Sequence, residues 1–155
     1  MIRNFAFAIA ASMLLSSSAV GQTAEMAARA QGAIPDLKGA WSGKGKAIVL
    51  GSNPHHLGPP TDTPRVRDIE ATHVVEGQDG QLAWGRSSST AADTKEPFVW
   101  SITSDNKSII GADPDGYFHI TLMSVDRMEK CYVHNGSGPT RSIVSACYIM
   151  DRVRR

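Results

Sequence analysis

The sequence has no excess of either charge: 16 lysines and arginines stand against 15 aspartates and glutamates, which gives a formal net charge of +1 over 155 residues. That balance argues against a dedicated surface for nucleic acid or an anionic membrane. Aromatic residues make up only 6% of the chain, and there are only two cysteines. The longest apolar run, residues 5–15, is about half of what a membrane-spanning helix needs. The length has room for one domain with one core.

Residues 1–21 have the features of an export signal. Arg3 is their only charged residue, an apolar run follows at residues 5–15, and the small residues at 19–21 suit cleavage by signal peptidase. We therefore predict a signal peptide at 1–21 and a periplasmic or secreted protein with no membrane anchor after cleavage. Residues 22–36 are small and rich in alanine, so we predict a flexible N-terminal arm there.

Beyond residue 38 the sequence shows the period-two alternation of β-strands, and no window repeats apolar residues with helical spacing for three turns. Predicted strands cover residues 39–50, 65–76, 81–88, 97–103, 108–112, 117–124, 127–134 and 142–153. The segments EGQDGQ, TSDNKS and ADPDGY carry the Gly, Asp and Asn of tight turns between them. Residues 37–155 are therefore predicted to form one all-β domain, an antiparallel up-and-down eight-stranded barrel. We favour it over a sandwich because no long crossover is visible.

The first predicted strand lies in LKGAWSGKGKAIVLG and contains the motif Gly39-x-Trp41. Together with the strand order over residues 37–153, this motif resembles the calycin superfamily, whose members include lipocalin-like and avidin-like barrels. The chain is also similar to small periplasmic inhibitor barrels. The resemblance implies an exported, closed barrel of one domain. It implies no particular ligand, because the later lipocalin motifs and the full set of biotin-contacting tryptophans are absent.

Four residues are predicted to bind a ligand: Trp41, His73, Trp84 and Trp100. The tryptophans lie on three different strands, and a turn centred on Gln78 and Asp79 would put His73 opposite Trp84. If the indoles face inward, they line or fill the interior. An eight-stranded barrel is either packed solid or holds one small ligand. We predict an interior that binds a small apolar or aromatic molecule, with a packed core as the alternative that the sequence leaves open.

The long loop at residues 51–64 contains Asn53, His55 and His56. Neighbouring histidines in an extended loop point apart, so we predict no metal there. A loop of this length is often functional, and these three residues are predicted contacts for a protein partner. They define the alternative function, a periplasmic inhibitor or envelope stress factor with a solid core.

Motifs for catalysis and for cofactors are missing. DPDG at residues 113–116 has its glycine fourth rather than sixth, so it indicates a hairpin turn and not a calcium loop. GRSSST is not a Gly-x-Ser-x-Gly nucleophile elbow. We predict no catalytic residue and no cofactor, which leaves an enzyme as the third hypothesis.

The two cysteines, Cys131 and Cys147, are equidistant from Pro139 in the connection between the last two strands. This spacing places them opposite each other across the ladder, whereas a catalytic dithiol would be expected at a Cys-x-x-Cys spacing. We predict a structural disulfide, which suits an oxidising compartment. Both faces of this hairpin are apolar, so the sequence does not decide which one is inside.

Overall fold

The structure is a computed structural model and describes residues 32–51, 63–90, 92–135 and 142–154, with only the backbone described at 92–94 and 135. The predicted signal peptide, residues 22–31 of the predicted arm, and Asn53, His55 and His56 lie outside this part of the chain. Residues Ala33–Arg155 form one compact unit. A helix with the length and apolarity to cross a membrane does not occur within the described ranges.

Eight strands form a closed antiparallel barrel in which each strand pairs with its neighbours in sequence and the last pairs with the first. The strands are β1 (Gly39–Gly51), β2 (Arg65–Asp79), β3 (Leu82–Ser89), β4 (Ala92–Ile102), β5 (Ser108–Ala112), β6 (Gly116–Ser124), β7 (Arg127–Asn135) and β8 (Ser142–Arg152). The predicted fold class is confirmed. Strand order and most strand ends follow the predicted pattern because tight turns carry the Gly, Asp and Asn that they require.

The last hairpin shows which face of the sheet is interior. Along β8, Val144, Ala146, Tyr148 and Met150 are buried, while the residues between them point outward. Cys131 and Cys147 are direct cross-strand partners and form a disulfide. The predicted disulfide is thus confirmed, and it lies on the outer face of the barrel wall.

The pairing of β2 with β3 corrects one prediction. Asp79 pairs with Leu82, so the two-residue turn is at positions 80–81, where Gly80 adopts φ +53°. A β-bulge between residues 75 and 77 then shifts the register by one position in the opposite direction. His73 consequently faces a serine at position 87 and not Trp84, and the predicted His73–Trp84 pair is wrong. Neither the turn centre nor the extra residue of a bulge is visible in alternation alone.

One end of the barrel interior is solid, and we call it the packed end. Its largest buried side chains are Leu37, Trp41, Phe98, Trp100, Ile109, Ile120, Met128 and Met150. Trp41 is completely buried, and its Nε1 donates a hydrogen bond to the Leu37 carbonyl oxygen at 2.9 Å. The Arg152 guanidinium lies 4.3 Å from the centre of the Trp41 ring and donates hydrogen bonds to the carbonyls of Asp36 and Lys38. Arg152 and the segment before β1 therefore close this end.

Candidate ligand cavity

The opposite end of the barrel contains a cavity of about 100 Å³. Since a water molecule needs roughly 10–15 Å³ of such space, the cavity can hold several waters or one small organic molecule. The barrel is therefore solid at one end and hollow at the other. The sequence left these two states as alternatives for the interior as a whole.

The cavity wall is apolar over most of its surface, although ten of its 19 lining residues are polar or charged. Aliphatic side chains come from β1, β2 and β8 (Ala47, Val49, Ile69, Ala71, Val144 and Ala146). Aromatic side chains come from β6, β7 and β8 (Phe118, Tyr132 and Tyr148). The polar and charged lining consists of Arg67, His73, Ser87, Ser88, Ser89, Glu96, Asp113, Asp115, Lys130 and His134. Small-ligand sites combine a largely apolar surface with placed polar groups, and this cavity has both.

Lys130 and His73 form a buried polar pair where the cavity meets the packed end. The Nζ of Lys130 lies 2.8 Å from Nε2 of His73, and both residues are at least 95% buried by accessible area. An ammonium group only donates hydrogen bonds, so the Nε2 of His73 has to be the acceptor when Lys130 is charged. His73 in turn packs against Phe98, Trp100 and Phe118, with ring centres 5.3–5.8 Å apart.

The environment favours the uncharged form of both members of the pair. Burial lowers the pKa of Lys130 to about 7, although Asp113 and Glu96 oppose the shift by attraction. Burial, and then the charge of Lys130, hold the pKa of His73 well below its usual value, with a smaller opposing effect from the Thr72 backbone. The floor of the cavity therefore offers an amine that is partly neutral at pH 7.

Aromatic rings surround the Lys130 amine on the cavity side. Its Nζ lies 4.1 Å from the ring centre of Phe118 and 5.6 Å from those of Tyr132 and Tyr148. Burial raises the pKa of both tyrosines, and the charge of Asp113 raises them further. Both phenols therefore stay protonated and uncharged at neutral pH.

Acidic residues line the cavity near the β5–β6 turn. Asp113 accepts hydrogen bonds from the backbone N–H groups of Asp115 and Gly116 at 3.0 and 2.7 Å, which fixes its position in the turn. Burial raises the pKa of Asp113 above its usual value, and these hydrogen bonds only partly offset that effect. Glu96 adds a third carboxyl group to the lining, with Arg67 as the cation among these groups. Within the described ranges, no three His, Cys, Asp or Glu side chains are grouped so that they could hold a metal ion.

The predicted ligand-binding residues fall into three places. His73 lines the cavity. Trp41 and Trp100 are buried, but in the packed end beneath it. Trp84 lies on the outer face of β3 with 46% of its surface exposed, so the three indoles do not all face inward. Its ring covers Gly77, where an added Cβ would overlap the indole.

Lys130 was not predicted as a site residue, although the sequence contains a pattern that could have placed it inside the barrel. It alternates with Cys131 and shares its face of β7 with Met128 and Tyr132. Once the disulfide is placed on the outer face, this alternation turns the lysine inward. The partner His73 is 57 residues away in sequence, so no local pattern could have paired the two.

No protein-family model matches the sequence, and no curated protein matches it. Among solved structures, the fold is similar to the S-type phycobiliprotein lyase CPES from Guillardia theta, with a TM-score of 0.43 and 8% sequence identity. The similarity covers 77% of this chain and 89% of the lyase chain. This similarity concerns the fold alone. The closed eight-stranded antiparallel barrel agrees with the architecture that the calycin resemblance implies.

Proposed function

We propose that this protein is an exported binding barrel that holds one small apolar or aromatic molecule in the cavity. The observation that carries the proposal is an open-ended cavity whose surface is mostly apolar, with the hydrogen-bonded pair Lys130 and His73 buried at its floor. The apolar wall supplies affinity through burial of ligand surface, and the pair orients the ligand by its polar group. Export is supported by the N-terminal sequence and by the disulfide.

The test fills the cavity without touching the polar pair. Ala146 is buried and lines the cavity, whereas its neighbour Ser145 points outward. Ala146→Phe should abolish binding of cinnamyl alcohol, measured by calorimetric titration, and should remove any small molecule that native mass spectrometry finds on the protein purified from its own cells. Ser145→Phe is the matched control and should bind as the unchanged protein does. Equal binding by both variants would contradict the proposed site.

A second candidate function is binding of a protein partner, and one observation on the outer face favours it. Trp84, Val99, Ala112, Tyr117 and Val133 follow one another as direct cross-strand neighbours from β3 to β7. The four large side chains of this row are 46–68% exposed. A contiguous exposed apolar patch is typical of an interaction surface. The predicted contacts in residues 51–64 stay a prediction, because residues 52–62 lie outside the described residues.

The row can be tested separately from the cavity. Tyr117→Lys places a charge in its centre and should abolish capture of a protein partner from an extract of the exported fraction, with cinnamyl alcohol binding unchanged. His119→Lys, two residues further on the same outer face, is the control. Capture that survives Tyr117→Lys would exclude the row as the contact surface.

A further inference from the structure

The amine of Lys130 lies in an unusual environment. It is the only buried lysine among the described residues, and it borders open cavity space rather than solid core. Ion pairs hold Lys44 and Lys46, which are exposed on the outer face of β1, to Glu70 and Asp68 at 3.0 and 2.7 Å. Lys130 instead makes a hydrogen bond with a histidine, and its Nζ lies 2.8 Å from Nε2 of His73. Lys44 and Lys46 are therefore partners in salt bridges, whereas the environment of Lys130 is that of a reactive amine.

The charges around the cavity select against an anionic ligand. Glu96, Asp113 and Asp115 contribute carboxyl groups to the lining, against Arg67 and an amine that burial keeps partly neutral. A carboxylate or phosphate would meet like charges on its way to Lys130. A neutral ligand whose polar group reacts with an amine fits the cavity better. An aldehyde on an apolar or aromatic body has this chemistry, since a desolvated lysine in an apolar pocket is a nucleophile toward carbonyl carbon.

We propose that Lys130 condenses with the carbonyl group of an apolar aldehyde that enters the cavity and holds it as an imine. This inference rests on the proposed function, because it uses the same cavity and names the class of its ligand. The Nζ lone pair attacks the carbonyl carbon, a C–N bond forms, the second bond of C=O breaks, and one amine hydrogen moves to the oxygen as a proton to give a hydroxyl group. That hydroxyl group then leaves as water with the second amine hydrogen, and a C=N double bond remains. The step is a condensation and consumes no oxidant or reductant.

The neighbours of Lys130 suit each stage of this condensation. His73 Nε2, at 2.8 Å from Nζ, can accept a hydrogen bond from the amine and so hold the attacking nitrogen at the cavity floor. Phe118 at 4.1 Å and the rings of Tyr132 and Tyr148 offer an aromatic wall to the ligand body. The carboxyl groups of Asp113 and Glu96 attract positive charge on this nitrogen, and they would stabilise a protonated imine in the same way.

The experiment compares an aldehyde with its alcohol. The protein is incubated at pH 7 with cinnamaldehyde and sodium cyanoborohydride, which reduces an imine to a stable secondary amine. Intact mass and peptide mapping then locate the label. We expect a single adduct on Lys130, formed at least about tenfold faster than any adduct on Lys44 or Lys46, because binding holds the reactants together. Cinnamyl alcohol should compete with the labelling, since it occupies the cavity and cannot form an imine.

Two variants make the result decisive. Lys130→Met removes the amine and should lose the fast labelling, with urea denaturation showing that the variant is folded. Lys44→Met, on the outer face of β1, should keep both the fast labelling and the binding of cinnamyl alcohol. If the unchanged protein binds the alcohol and labels Lys130 no faster than the exposed lysines, the imine is excluded while the binding function stands. If it binds neither compound and native mass spectrometry finds no ligand, the binding function fails as well.

Discussion

The two ends of this barrel are built from the same eight strands and differ in what fills them. At the packed end, inward positions carry Trp41, Phe98, Trp100 and two buried methionines, and Arg152 closes the opening. At the open end, β1 contributes small aliphatic residues, β8 contributes Val144 and Ala146 beside Tyr148, and β7 contributes Lys130 and Tyr132. Because the sheet is continuous, side-chain volume alone decides that one end is solid and the other hollow.

His73 lies at the boundary between the two ends and belongs to both. Its ring packs on Trp100 at 5.7 Å and its Nε2 meets the amine of Lys130. The packed end therefore fixes the orientation of the polar pair at the cavity floor. We expect changes in the packed end to affect stability first, and changes in the open end to affect ligand binding first.

The largest effect is expected at the packed end. Trp41→Ala removes a fully buried indole, its hydrogen bond to Leu37 and the surface on which Arg152 lies. Loss of such a side chain usually costs about 3–5 kcal/mol in the free energy of unfolding. Urea denaturation followed by circular dichroism measures it. A loss below about 1 kcal/mol would mean that this end is not the stabilising half of the barrel.

The disulfide lies on the outer wall behind the cavity, and its loss should rank second. Replacing Cys131 and Cys147 together by Ser frees a loop with a sequence separation of 16. On the chain-entropy account, the free energy of unfolding falls by roughly 3 kcal/mol. Urea denaturation of the double variant measures the loss, with the unchanged protein under reducing conditions as the comparison. Two free thiols in the exported protein would contradict the disulfide itself.

The third-largest effect is expected at the open end, where the titration of Lys130 makes the free energy of unfolding depend on pH. The folded-state pKa is lowered to about 7, whereas an unfolded lysine titrates near 10.4. Between these values the unfolded chain binds more protons, so the free energy of unfolding should rise with pH by up to about 1.4 kcal/mol per pH unit. Below about pH 7, where Lys130 is protonated in both states, its contribution to the slope ends.

The histidine and the two tyrosines around Lys130 act outside this window. The lowered pKa of His73 changes the slope only below about pH 6.5, and the raised pKa values of Tyr132 and Tyr148 change it only above about pH 10. Lys130→Met should therefore flatten the rise between about pH 7 and 10, as measured by urea denaturation at several pH values. Lys44→Met should keep it. An unchanged slope in Lys130→Met would show that Lys130 is charged in the folded protein across this range.

Local patterns in the sequence were sufficient for the fold and insufficient for the site. The strands and the cross-strand position of Cys131 and Cys147 follow from alternation and turn residues, which are short-range signals. The cavity depends on which inward positions are small, and the Lys130–His73 pair depends on closure of the barrel across 57 residues. On β3 the sequence did not show which face is inside. The large residue, Trp84, faces outward, and the small residues Ala83 and Gly85 on either side of it face inward.

The smallest effect is expected for Trp84→Ala, which tests the outward placement of this indole directly. Its ring is 46% exposed and covers Gly77, so the lost packing should lower the free energy of unfolding by about 0.5 to 1 kcal/mol, far less than Trp41→Ala. Cinnamyl alcohol should bind as before, because the indole is on the opposite side of the wall from the cavity. Both alanine variants should be compared side by side. Calorimetric titration measures their binding of cinnamyl alcohol, and urea denaturation measures their stability. Loss of binding in Trp84→Ala with the fold intact would move the ligand to the outer face, and the contrast between a packed and a hollow end would then no longer explain function.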